Sequence, residues 1–273
     1  MCIRDRHIAE HLDGGLLILA PVGTGKTLTL AERAANAIAS GIAPNRILCL
    51  TFTNRAAKEM AVRIGRIHPK DADRIVVSTF HALCADMLRQ EAREIGIPSD
   101  FVVYDDVDSI DLICELGRME FNEARQLYYS IESAKANETG HKLTAAGLLG
   151  DLFEGFPPHL AGTAIEYQKN LLLRYALDFQ DLVAFTRAML KENEDARERW
   201  MNRFDFIQVD EVQDTHYSEY QIVRALAKRS GNLALIGDFD QTIYEWRGSQ
   251  PEKVIEAFKR DFAFIIISLT GNY

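Results

Sequence analysis

Cysteine is scarce: Cys2, Cys49, Cys84 and Cys114 are the four in 273 residues, and none stands at metal-ligand spacing from another. A disulfide scaffold and a zinc module are thereby excluded. Three of the four lie in apolar patterns, so buried thiols in a reduced, cytosolic (cytoplasmic) chain are expected. Long apolar runs are missing too. The longest, residues 262–267, is β-branched and strand-sized, far short of the roughly 20 residues that cross a bilayer. Residues 1–6 are no signal peptide. They fit nothing that follows and read as an assembly scar, and residues 270–273 stop directly after a strand pattern, so both ends read as cut. Positive charge is in deficit: 31 Lys and Arg against 40 Asp and Glu leave a formal net charge of −9. Overall electrostatics therefore announce no nucleic-acid binder, although a basic groove on an acidic body stays compatible. Internal repeats and low-complexity segments are absent. What remains, 47% hydrophobic and 26% charged, is an ordinary globular composition, long enough for one large domain or two small ones.

Against that plain background one stretch stands out, Ala20-Pro-Val-Gly-Thr-Gly-Lys-Thr27. It follows the apolar run at 16–19 and leads into a helical pattern with Ala31, Ala34, Ala35 and Ile38 on one face. A strand, a glycine-bearing turn ending in Gly-Lys-Thr and a helix form the context of a phosphate-binding loop. Glycines let backbone N–H groups curl around phosphate oxygens, and the helix N-terminus adds partial positive charge. Lys26 would reach the β- and γ-phosphates and Thr27 would set its hydroxyl on Mg²⁺. The strict pattern has glycine where this chain has Ala20.

Further on, residues 46–51 read as a buried strand, residues 52–54 as a loop, and Asn54 as the N-cap of a helix through Arg66. Arg55, Lys58, Arg63 and Arg66 give that helix a local positive excess; on charge alone this is a solvated face. Residues 75–79 make a third strand, and Phe80, Leu83, Cys84 and Met87 the apolar stripe of its helix. His81 sits off that stripe, a surface histidine with no metal partner at ligand spacing. The order β-α-β-α-β-α implies a parallel doubly wound sheet. Residues 101–104 are a short extended piece. From 105 to about 175 the patterns are helical, broken at Gly140, Gly147, Gly150 and Pro157-Pro158, and read as an inserted subdomain. Tyr128, Tyr129, Phe153 and Phe156 belong to its core. The α/β rhythm then returns: a helix burying Phe179, Leu182, Val183, Thr186 and Met189, a strand at 204–209, a helix with Tyr220, Val223 and Ala227 on one stripe, and a strand at 233–237.

A phosphate-binding loop needs a partner carboxylate at the end of a neighbouring strand. Asp210 and Glu211 end the strand at 204–209. Asp210 would hold the metal's water shell and Glu211 would orient and deprotonate the attacking water; two adjacent acids at a strand end call for a cation to share. Gln241 follows the next strand. Its neutral amide is placed either as a plain polar loop residue or as a sensor of the γ-phosphate.

Taken together these motifs resemble the N-terminal part of UvrD/Rep/PcrA-type superfamily 1A DNA helicases. The resemblance rests on residues 20–27, 50–60 (Leu-Thr-Phe-Thr-Asn-Arg-Ala-Ala-Lys-Glu-Met), 78–84, 101–105, 176–182, 210–215 (Asp-Glu-Val-Gln-Asp-Thr), 237–248 and the final Gly271-Asn-Tyr273. It implies an α/β, RecA-like P-loop NTPase lobe, a parallel sheet flanked by helices, with residues 7–104 and 176–273 as its two parts. Residues 105–175 are then the helical insertion, and the second RecA-like lobe is absent. The resemblance implies ATP and Mg²⁺ as cofactors, with movement along single-stranded DNA in the 3′→5′ direction and 3′-tailed duplex as the unwinding substrate. Carried over by position, Ala20, Gly23, Thr24, Gly25, Lys26 and Thr27 hold the nucleotide with Tyr273 stacking on adenine. Thr27 and Asp210 serve the metal, Glu211 is the base, and Gln241 couples γ-phosphate to DNA. Gln213 and Asp214 orient the site.

The implied DNA path runs over Phe52 and Asn54, Thr79 and His81, and Tyr244, Trp246 and Arg247. Aromatic rings at strand ends stack on bases without reading sequence, which lets such a path work with few basic residues. Taken alone, Trp246 would be core. Three departures from the family pattern are visible. The glutamine segment that recognises adenine upstream of the loop is replaced by residues 1–6, Leu28 stands where relatives often carry arginine, and the fourth motif ends at Tyr273, before its arginine. The expectation is a helicase fragment that binds Mg·ATP weakly and hydrolyses it feebly at most. The helicase part of a helicase–nuclease repair enzyme, and a non-catalytic DNA-binding remnant, are the alternatives.

Overall fold

The computed structural model describes residues 3–21, 23–137, 153, 156–238 and 250–269. In chain order the elements are α1 (Ile3–Glu10), β1 (Gly15–Leu19), α2 (Lys26–Ala39), β2 (Ile47–Thr51), α3 (Asn54–Ile67), β3 (Val76–Thr79), α4 (Phe80–Gln90), α5 (Ala92–Ile95) and β4 (Val102–Tyr104). Then follow α6 (Asp106–Gly117), α7 (Phe121–Asn137), α8 (Pro158–Leu173), β5 (Ala176–Asp178), α9 (Phe179–Glu192) and α10 (Glu194–Met201). Last come β6 (Phe206–Val209), α11 (Tyr217–Ala227), β7 (Leu233–Gly237), α12 (Pro251–Asp261) and β8 (Phe264–Ser268). The chain divides into two compact units, residues 1–80 with 198–273, and residues 81–197.

The first unit is built on a six-stranded sheet in the order β3-β2-β6-β7-β1-β8, with every pairing parallel. This is the α/β architecture the strand–helix alternation predicts. The interior strands read as continuous apolar runs because both faces are covered by helices: β2 and β7 are buried along their whole length. The core joins Leu16, Ile18, Ile47 and Ile236 from the strands to Leu30, Ala31, Ala34, Met60 and Ile64 from α2 and α3. Residues 3–6, which sequence alone ties to nothing, form the first turns of α1, whose Ile8 and Ala9 are fully buried. Parallel strands put all their carboxyl ends on one edge, and β6 and β7 enter between β2 and β1. Three strand ends, those of β1, β7 and β6, therefore stand side by side where ligands of such sheets bind.

Two polar features inside this unit were not legible as such. Arg33 lies on the buried face of α2, fully enclosed. Its guanidinium stacks on the Phe206 ring at 4.1 Å and donates to the His11 carbonyl at 3.0 Å and to the side-chain oxygens of Gln208 and Asn232, each at 3.5 Å. Glu219 in the first turn of α11 accepts the His216 N–H at 2.8 Å and is otherwise enclosed. Burial pushes its carboxyl up to about 7, the hydrogen bond only partly opposing.

The second unit packs α6, α7 and α8 around its own core, with Ile110, Ile113, Leu127, Tyr128, Ile131, Tyr167 and Leu171 at the centre. The short β4 and β5 pair in parallel. The β5 strand is an addition to the sequence reading, which saw only a helix here: three residues are too few to show a period, and the same stretch supplies the cap of α9. Asp178 caps α9 and Asp181 returns the bond to the Asp178 N–H. Both carboxylates then converge on Lys135, at 2.5 Å and 2.8 Å, and all three side chains are completely buried. Tyr167 Oη donates to Asp178 at 3.0 Å and Gln168 to both oxygens of Asp181 at 3.2 Å. Desolvation works against the Lys135 charge, but the two carboxylates outweigh it and the ammonium titrates above its ordinary value. Burial, then the charge of Asp178, pushes Asp181 up.

Three local expectations are corrected. Thr53, not Asn54, caps α3, its hydroxyl accepting from the Ala56 N–H at 3.1 Å, and Asn54 is the first helical residue. Tyr129 is exposed while Tyr128 is core, since adjacent helical residues point about 100° apart. Phe179 is half-buried rather than core, because it is the first residue of α9.

Two stability measurements follow. Lys135→Met leaves two buried carboxylates without their cation, and urea denaturation at pH 7 should show a loss of about 3–5 kcal/mol, smaller at pH 5 where the pair takes up a proton. An unchanged midpoint would show that the cluster contributes nothing. For Glu219 the folded state binds the proton more tightly than the unfolded one between the ordinary value of 4.5 and about 7. Stability therefore falls as pH rises through that window. Glu219→Gln keeps the acceptor for the His216 N–H and should be more stable than the parent at pH 8 by about 1–3 kcal/mol, with no gain at pH 4.

Candidate nucleotide site

The loop at the end of β1 is folded by its own sequence. The Ala20 N–H donates to the Gly237 carbonyl at 2.9 Å, which ties the start of the loop to the end of β7. Thr24 turns the chain by bonding Pro21 O through both its N–H, at 3.3 Å, and its hydroxyl, at 2.7 Å. Gly23 and Gly25 take φ of 81° and 80°, the left-handed region where a side chain is strained. Gly25 is the N-cap of α2, and its carbonyl accepts the Thr29 N–H at 3.0 Å. Lys26 and Thr27 are thus the first two residues of a helix of 14 residues, at its positive end.

Opposite, β6 brings Asp210 and Glu211. Val209 pairs with Leu235 of β7, and Leu19 pairs with Gly237, so the acids stand level with the loop, one strand away. The Asp210 N–H donates to Leu50 O at 2.8 Å, and its carboxylate accepts the Glu211 N–H at 2.9 Å and the Thr27 hydroxyl. Glu211 has φ 52° and ψ 48°, left-handed for a non-glycine residue. That turn sends its carboxylate back over β7 to Lys26 Nζ at 2.7 Å. The same oxygen accepts from Gln213 Nε2 at 2.7 Å.

The electrostatics of this cluster favour an added cation. Burial, reinforced by the charge of Glu211, pushes the Asp210 carboxyl up to about 7, against the pull of Lys26 and Thr27. Asp214 follows the same logic, reaching about 6 through burial and Glu211. Its Oδ1 is buried without a hydrogen-bond partner among the described residues. An orphaned carboxylate oxygen and a raised neighbour on a buried acidic edge fit a divalent ion. Among the described residues no cluster of three or more His, Cys, Asp or Glu side chains could hold a metal by itself. A hydroxyl and one carboxylate, with phosphate supplying the rest, is the donor set Mg²⁺ takes beside nucleotides.

The sequence-predicted residues Ala20, Gly23, Thr24, Gly25, Lys26, Thr27, Asp210 and Glu211 are therefore brought to one edge of the first unit. Phe52, half-buried, lies in the turn after β2, Asn54, exposed, is the first residue of α3, and Thr79, buried, ends β3; Thr51 and Thr79 are cross-strand partners. His81 lies in the second unit, its ring 4.9 Å from that of Phe179. Gln241, Tyr244, Trp246, Arg247 and Tyr273 lie outside the described residues. Gln213 does more than its motif implied, joining Glu211 to β7; the glycine at 237 was the available signal. No helix among the described residues is long and apolar enough to cross a membrane, and Cys49 and Cys84 are buried, with Cys114 half-buried.

Comparison with known proteins agrees with the geometry. Residues 3–263 match the family described as the UvrD/REP helicase N-terminal domain. Among similar proteins, the ATP-dependent DNA helicase Rep of Salmonella typhimurium is 34% identical over 275 residues, covering 98% of this chain and 40% of that protein. The Escherichia coli Rep helicase is 34% identical, over 97% of this chain and 40% of its own length. The ATP-dependent DNA helicase PcrA of Bacillus subtilis is 36% identical, over 96% of this chain and 36% of its own. The chain thus spans about two fifths of the length of these relatives. With the fold, the phosphate-loop geometry and this match in agreement, the chain belongs to the UvrD/REP helicase N-terminal domain family.

Proposed function

We propose that this chain is the ATP-binding portion of a 3′→5′ DNA helicase, which binds Mg·ATP and single-stranded DNA and serves movement along and unwinding of 3′-tailed duplex. The observation that carries the reading is the Lys26–Glu211 contact of 2.7 Å across the end of β7. The named activity of the Rep and PcrA relatives supports it.

The backbone of Ala20, Gly23, Thr24 and Gly25 wraps the phosphates, with the α2 N-terminus adding its dipole. Lys26 leaves Glu211 for the β- and γ-phosphates. Thr27 and Asp210 hold Mg²⁺, which neutralises charge on the phosphate oxygens. Glu211, released from Lys26, orients the attacking water and takes its proton. Gln241 reads the γ-phosphate for the DNA path, and Tyr273 stacks on adenine. Phe52, Tyr244 and Trp246 stack on bases, while Asn54, Thr79, His81 and Arg247 contact the backbone and edges of single-stranded DNA. Such stacking is indifferent to sequence, as a motor that moves over any sequence requires.

The reading is tested first at the phosphates. Lys26→Ala should weaken binding of a fluorescent ATP analogue with Mg²⁺ about 10–100-fold, the worth of a charge-assisted hydrogen bond. Glu211→Gln should keep that affinity and abolish single-turnover hydrolysis. Equal affinity in Lys26→Ala would sink the nucleotide site. On the DNA side, Phe52→Ala should cost about 1–3 kcal/mol in oligothymidine binding followed by fluorescence anisotropy. An unchanged isotherm would remove Phe52 from the path.

A further inference from the structure

We propose that Gln213 is a positioning residue that makes the Glu211 carboxylate and the outgoing end of β7 move as one, so that occupancy of Lys26 is felt at Asp238. The proposal rests on the nucleotide reading of the site and adds to it a route out of the site.

Both ends of the Gln213 amide are used. Nε2 donates to Glu211 Oε2 at 2.7 Å, and Oε1 accepts the Asp238 N–H at 3.1 Å. A carboxylate only accepts and a backbone N–H only donates, so the amide has one orientation and no other side chain of its length replaces it. Glutamate would repel Glu211, and lysine could not accept from Asp238. The side chain is buried, 6% exposed. The room it occupies is made by Gly237: a Cβ there would stand 2.6 Å from Gln213 Oε1 and 2.8 Å from Val212 Cγ1. Gly237 in turn accepts from Ala20 N at 2.9 Å. The bonds close a ring, from the start of the phosphate loop to β7, through Gln213 to Glu211, and through Lys26 back to the loop.

In that ring Lys26 is the replaceable member. Phosphate oxygens compete for Nζ, and Glu211 then keeps Gln213 as its donor. The left-handed Glu211 backbone is a conformation that persists only when its surroundings over-determine it; the Asp210 carboxylate and Gln213 are those surroundings. Loss of the Lys26 bond therefore alters the Gln213 amide directly. The amide passes the change to the Asp238 N–H, three positions before Gln241 in the sequence.

The test is amide NMR on the ¹⁵N-labelled chain titrated with a non-hydrolysable Mg·ATP analogue, with affinity measured in parallel by a fluorescent analogue. In the parent chain the Asp238, Gly23 and Gly25 amides should all shift on binding. In Gln213→Met, which fills the space without either hydrogen bond, Gly23 and Gly25 should still shift and the Asp238 response should be lost. Asp238 should also exchange with deuterium faster, as a lost acceptor requires. Gly237→Ala, which displaces Oε1 from the other side, should reproduce both effects. An Asp238 response of parental size in Gln213→Met overturns the proposal. So does an Asp238 amide that never responds in a parent chain whose binding depends on Lys26. Absence of Lys26-dependent binding instead overturns the nucleotide reading, and the proposal with it. A Gln213→Met chain that loses its fold is replaced by Gln213→Leu and the same amides; loss of fold in both, with Gly237→Ala folded and responding as the parent does, also overturns it.

Discussion

A lysine at the first turn of one helix has to find a carboxylate with a strand between them, and the sheet is threaded so that it can. Neighbouring strands stand about 4.8 Å apart, so the ends of β1 and β6 are about 10 Å from each other with β7 between them. An extended lysine side chain and a glutamate turned backwards by a left-handed backbone cover that distance. The arrangement depends on β6 and β7, which come late in the chain, entering between β1 and β2, which come early. It also depends on register. A slip of one residue between β6 and β7 would move the acids by more than 3 Å and turn the wrong faces inward. The fully buried ladder makes that slip costly, so the hydrophobic pattern of the strands is what holds the charges in place.

The long excursion between β3 and β6 is compatible with this because it has its own means of staying folded. Residues 81–197 have a separate apolar core and a buried ion cluster that pins α7, α8 and α9 to one another. Buried ion pairs are weak sources of stability relative to apolar packing, but they are strongly directional. Lys135 has one place where its charge is matched, and the helix carrying it has one rotation that reaches that place.

The parts that sequence made legible are those with a period or a punctuation mark. Strands β2 and β7 are short apolar runs bounded by turns, α4 and α11 carry stripes at helical spacing, and the loop at residues 20–27 announces itself by its glycines. Glu211 could be named as a partner of the loop because two acids at a strand end need a reason. What sequence left unread is tertiary. Gln208 and Arg33 are polar letters in apolar words, and nothing local says that they answer each other across 175 positions. The β5 strand is only three residues long and shares them with a helix cap. Thr53 and Asn54 are both good caps, and the choice between them was made by where β2 stops. The family match gives the whole arrangement a lineage, but nothing in the sequence announces the bond from Gln213 to Asp238.

The enclosed Arg33 has a consequence for how this lineage can vary. Its charge is met by neutral acceptors on three separate segments and by the face of Phe206, with no carboxylate among its hydrogen-bond acceptors in the described residues. An aliphatic residue at 208 would take the acceptor from one guanidinium nitrogen, and an aliphatic residue at 33 would take the donor from Gln208 Oε1, while Gln208 Nε2 still feeds Leu30 O at 2.9 Å. Either step alone passes through a chain with an unanswered polar group in its core. Positions 33, 208 and 232 are therefore expected to drift as a set in related sequences, so that an alignment column taken singly at any of them would look more permissive than the protein is.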